Sequence, residues 1–170
     1  MKMRFSFPEA QPGQTMSRGA APVGQLQELP GLERAAILSL RAWCDGGAAR
    51  AALAEDIAAL LGRTGGEEAQ EAFDALMRLI LQGARRPMMR HGCSCSCIGG
   101  DENAFAQMIG AAAAQDREEA MLFAAILVSG GAAFELVERA LSLGPLFLQL
   151  GRGKASRVAA DRSGDPRRLH

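Results

Sequence analysis

Between Leu32 and Leu150 apolar residues recur at spacings of three and four, the period of an α-helix, and the spacing predicts six helices. The first opens at Pro30, where proline's missing N–H costs nothing. It carries a broad apolar face of Leu32, Ala35, Ala36, Leu38 and Leu40 with Trp43 as an anchor, and Asp45-Gly46-Gly47 stops it. The second, 48–61, places Leu53, Ile57, Leu60 and Leu61 on one side, and Gly62 and Gly65-Gly66 end it. The third starts at Glu67-Glu68, whose charges suit a helix N-terminus. It buries Phe73, Leu76, Met77, Ile80 and Leu81 and closes at Gly83 and Pro87, with Arg85 and Arg86 near its negative end.

Asp101 is the expected cap of a fourth helix carrying Phe105, Met108 and Ile109, followed by the small-residue run 111–114. Gln115-Asp116 reads as a turn, although nothing there forbids a helix running straight through. The fifth segment, 117–128, has little polar face after Glu119 and reads as the central, most buried helix. Ser129-Gly130-Gly131 breaks it. A sixth helix, 132–150, carries Phe134, Leu136, Val137, Leu141 and Phe147, with Gly144-Pro145 expected to kink or restart it.

These elements make an all-α, single-domain bundle of about six helices, with a cysteine-rich loop between the third and fourth. The helical domain spans 29–151. Residues 1–28, punctuated by Pro8, Pro12 and Pro22, read as a flexible arm that Phe5 and Phe7 can pin to the body or to a neighbour. Residues 152–170 read as a polar, basic, solvated tail.

Composition sharpens the fold class. The chain is 48% apolar, rich in Ala and without Tyr, which favours close helix packing over β-sandwich cores. Such Ala-, Gly- and Arg-rich usage is typical of GC-rich bacterial genomes. Lys+Arg and Asp+Glu are equal at 19 each, so no overall charge draws the chain to nucleic acid. The first residues lack the apolar stretch of a secretory leader, and the longest apolar run, 120–128, is too short to span a bilayer. A cytoplasmic location is therefore expected, and in that reducing setting clustered cysteines point to metal or redox chemistry before structural disulfides.

The candidate chemistry sits at His91-Gly92-Cys93-Ser94-Cys95-Ser96-Cys97, where His91, Cys93, Cys95 and Cys97 occupy every second position. Zinc takes such donors as a tetrahedral set, with thiolates under ~4 Å apart. Residues two apart in an extended chain are ~6.6 Å apart and residues four apart ~13 Å, so all three thiols share one ion only if the loop curls. The neighbouring glycines and serines permit that curl, and Cys44 at the end of the first helix is a further possible ligand, or else a small core residue. The leading expectation is a non-enzymatic scaffold or interaction module whose loop holds a structural zinc. The alternatives are a thiol redox or sensor protein, its thiols activated by Arg90 and the following helix N-terminus, and a partner-binding helical domain with an incidental loop. An unknown protein partner and homodimerisation fit the Ala- and Gly-rich helix faces. No phosphate-binding loop, dinucleotide fingerprint, H-E-x-x-H or G-x-S-x-G is present.

Overall fold

The helix at the centre of the molecule is the one that follows the cysteine loop. A computed structural model describes residues 19–162, with side chains described through residue 153. The elements run β1 (Pro22–Gln25), a single 3-10 turn (Leu26–Glu28), α1 (Gly31–Asp45), α2 (Gly47–Gly83), β2 (Cys97–Gly99), α3 (Gly100–Ala113), α4 (Arg117–Leu127) and α5 (Gly130–Arg162). Helix α3 packs against α1, α4 and α5, and α5 also touches α1, α2 and α4. Apolar α3 residues Phe105, Met108 and Ile109 are fully buried. The main core joins them to Leu40, Leu53, Ile57, Leu76, Met77, Ile80, Leu136 and Val137, with Phe73 and Phe147 edge-to-face at 5.7 Å. A smaller cluster of Ile37, Ile98 and Ala106, with Leu26 and Leu29 against it, seals the end beside the strands.

The all-α expectation holds, with five helices rather than six among the described residues. The expected second and third helices form one element, α2, bent at Gly62, whose φ of 73° is open to glycine and strained for other residues. The bend doubles the chain back so tightly that a Cβ on Gly66 would lie 2.9 Å from the Ala58 Cα. The expected sixth helix is α5, which holds Pro145 within it and continues past the expected end at 150 to Arg162. Gly144 lets α5 touch the end of α3: a Cβ there would meet the Ala113 Cα at 2.7 Å. Gly151 does the same against α1, where its Cβ would lie 2.7 Å from the Leu32 backbone nitrogen.

Two further expectations are corrected. Helix α4 is not the most buried element: only Ala120, Ala124 and Leu127 of its residues are buried, while Leu122 and Ile126 are 70% and 54% exposed. Apolarity alone could not tell a helix covered on all sides from one resting on the bundle by a narrow alanine stripe. A two-stranded antiparallel sheet also forms, β1 on β2, with Gln25 opposite Cys97 and Gly24 opposite Ile98. Neither strand is long enough to show an alternating pattern. The turn at Gln115-Asp116 is present, with Gln115 at φ 62° and Asp116 capping α4 through the Glu119 N–H at 2.9 Å. The expectations for Phe5 and Phe7 and for the side chains of the basic tail lie outside the described residues.

Candidate functional site

The cysteine loop is organised around a charge pair that comes from outside it. Arg41, on the inner face of α1, and Glu102, in the first turn of α3, have side chains with no solvent exposure. The guanidinium grips the carboxylate with two bonds, Nε to Oε1 at 2.7 Å and Nη2 to Oε2 at 3.0 Å. Its remaining N–H groups donate to loop carbonyls: Nη1 to Gly92 at 3.2 Å and Cys95 at 2.6 Å, Nη2 to Cys97 at 2.6 Å. All five donors of the fork are thereby used. Glu102 also accepts from the backbone N–H of His91 at 3.1 Å and of Gly99 at 2.9 Å, and meets His91 Nδ1 at 3.0 Å. Burial pushes the Glu102 pKa up, but the Arg41 bonds, the Gly99 N–H and His91 outweigh it, so the carboxyl stays ionised below its usual range. An ionised carboxylate only accepts, so His91 Nδ1 is the donor in this contact.

Two more ion pairs fasten the approach to the loop. Arg86 forks onto Asp101 at 2.7 and 2.6 Å, and the same carboxylate takes the Met89 N–H at 2.8 Å. Asp101 is thus not the cap of α3: Gly99 holds that position, and Glu102 satisfies its N–H. Arg90, also buried, pairs with Asp45 at 2.8 Å. Beyond these, the loop turns back through Cys95 N–H to Gly92 carbonyl at 3.0 Å and joins β1 through Leu26 N–H to Ser96 carbonyl at 2.7 Å.

The fold therefore holds the loop mainly by its main chain. Cys93 is exposed, Cys95 and Cys97 are half-buried, and Cys44 is half-buried against the main core, all as free thiols. Cys97 Sγ has a long contact, 3.9 Å, with Gln25 Nε2. Cys44 and Cys93 both face the Asp45–Arg90 pair. Activation of these two thiols by Arg90 is not what results. Burial pushes Cys44 up to about 12, with Asp45, Glu102 and Cys93 adding to the shift against the opposing Arg90. Partial burial of the Cys93 sulfur, a hydrogen bond to Asp45 and that carboxylate's charge push Cys93 up to about 11, outweighing Arg90 and Arg41. Nucleophilic thiolate chemistry at neutral pH is disfavoured at both.

Zinc needs its donors to converge. Among the described residues no three His, Cys, Asp or Glu side chains are grouped so as to hold a metal ion. His91 is buried against Glu102, while Cys93, exposed on the other side of Gly92, turns to Asp45. Arg41 was absent from the residues the sequence singled out. The signal was available: it lies four residues after Ile37 and next to Leu40, so the apolar face of α1 contains a charge that must find a buried partner.

Comparison with known proteins found no matching family model, curated protein or solved structure. Among the described residues no helix is long and apolar enough to cross a membrane.

Proposed function

We propose that the chain is a helical interaction module that docks a protein partner through α4 and the start of α5. The supporting observation is the set of large apolar side chains facing water there: Leu122 at 70%, Ile126 at 54% and Phe134 at 62% exposure. Leu122 and Ile126 are one turn apart on one face of α4. Phe134 stands one turn before Glu138, which pairs with Arg117 at the start of α4. A binding role also agrees with the chemistry of the buried charges. Both oxygens of Glu102 and every donor of Arg41 are already engaged, which leaves neither poised to exchange protons with a substrate. The test is Leu122→Glu with Ile126→Glu, both exposed and so worth under ~0.5 kcal/mol of stability each. Partner capture by in-cell crosslinking should be lost while the circular dichroism spectrum is unchanged. An unaltered set of captured proteins would reject the reading.

A second reading keeps zinc in the loop. It rests on His91, whose Nδ1–H is held by a carboxylate in the way metal-bound imidazoles are oriented. It requires Cys93, Cys95 and Cys97 to turn toward Nε2. Elemental analysis of protein purified without a metal-affinity tag tests it: about one zinc per chain, released together with thiol unmasking, supports it, and zinc-free folded protein removes it.

A further inference from the structure

The first described residue, Gly19, is wedged against the Arg86–Asp101 pair. Its carbonyl accepts the Asp101 N–H at 3.0 Å. A Cβ at Gly19 would collide with the Asp101 carboxylate and lie 2.6 Å from Arg86 Nη1. That pair forms one wall of a small cleft whose other side is Ile126 and Leu127, at the C-terminal end of α4. Gly19 therefore stands at the foot of the exposed α4 face, and in sequence it follows the N-terminal segment 1–18.

The composition of this segment matches that face. Met1, Met3, Phe5 and Phe7 alternate with Lys2, Arg4 and Ser6. Such alternation puts every apolar side chain on one side whenever the segment is extended. Extended, the segment would carry Phe5 and Phe7 on one side, and Leu122 and Ile126 offer exposed apolar surface to match. Residues 8–18 span on the order of 35 Å when stretched, against ~16 Å for the whole of α4. The charges run in the same direction. From Ile126 the path along α4 leads back to Glu118 and Glu119 in its first turn, both exposed, and the basic residues Lys2 and Arg4 lie beyond the phenylalanines in sequence.

We infer that residues 1–7 of the same chain cover the exposed face of α4, with Phe5 and Phe7 on Leu122 and Ile126 and Lys2 and Arg4 toward Glu118 and Glu119. This rests on the interaction reading and names what occupies that face in the isolated chain.

The experiment replaces Leu122 with the photocrosslinker p-benzoylphenylalanine in the full chain, irradiates purified protein and maps the product by mass spectrometry. The expected product is an intramolecular crosslink to residues 1–7 whose yield is independent of protein concentration. Lys2→Glu with Arg4→Glu lowers that yield, and adding Glu118→Lys with Glu119→Lys restores it. A crosslink to a second chain that grows with concentration, a crosslink to the β1 edge at Val23, or no product containing residues 1–7 overturns the inference. Any of these with partner capture intact leaves the interaction reading standing. The intramolecular crosslink without any partner removes the interaction reading and keeps the contact.

Discussion

Glu102→Gln changes charge without changing shape, and so isolates what the buried pair contributes. In the native chain Oε1 receives Arg41 Nε and the His91 N–H, and Oε2 receives Arg41 Nη2, His91 Nδ1 and the Gly99 N–H. A glutamine has one accepting oxygen. Whichever end carries its NH2 group points donors at two or three other donors, and the Arg41 guanidinium stays buried with no counter-charge. Breaking a buried pair from one side costs ~3–5 kcal/mol, a large part of the ~5–15 kcal/mol that keeps a domain folded. The melting temperature should fall on the order of 10 °C.

Urea titration followed by circular dichroism measures the loss. The pH dependence checks its origin. Because the Glu102 pKa is lowered in the folded state, its stabilisation is complete above the ordinary carboxylate range near ~4.3 and is lost as pH falls through the lowered value. The gap between native and variant should therefore be constant above about pH 5 and narrow below it. Replacing both partners with apolar residues should cost less than the two single changes added together. A Glu102→Gln protein within ~1 kcal/mol of native at pH 7, or strict additivity in the double variant, would refute the assignment of Arg41–Glu102 as the keystone of the loop.

Other outcomes follow from the same geometry. With its pKa pushed up to about 11, Cys93 should alkylate at pH 8 roughly a hundredfold more slowly than a free cysteine; iodoacetamide kinetics matching those of a small thiol would contradict the Asp45 contact. Changing Cys93, Cys95 and Cys97 together to Ser should shift stability by no more than ~1 kcal/mol, because Arg41 reads carbonyls there; outright unfolding would speak instead for a structural metal. Gly151→Ala should destabilise by ~1–3 kcal/mol, since its Cβ would press on the α1 backbone at Leu32; a melting temperature equal to the native one would mean that α1 and α5 part easily.

Punctuation made much of the fold legible. Pro30 and Asp45-Gly46-Gly47 bracket α1, and Gln115-Asp116 separates α3 from α4. Residues whose role depends on distant partners were not legible. Leu122 and Ile126 read as core because an apolar side chain carries no record of whether a neighbour covers it. Pro22–Gln25 read as arm because its strand exists only through pairing with Cys97–Gly99. In the loop, thiol density drew attention to side chains, whereas the fold grips the carbonyls of residues 92, 95 and 97. No sequence pattern announces a carbonyl about to be bound by an arginine more than fifty residues earlier.

The Arg41 fork also bears on how the chain finds its native packing. Helices faced with Ala and Leu slide over one another at little cost, since one small apolar contact resembles the next. A slip of α1 by one turn against α3 displaces Arg41 by about 5.4 Å. It strands a guanidinium in the core and orphans the carboxylate and the loop carbonyls at once. Misregistered bundles are thus penalised as a group, and the polar knot acts as a registration pin that lets an otherwise slippery alanine-rich bundle settle on one alignment.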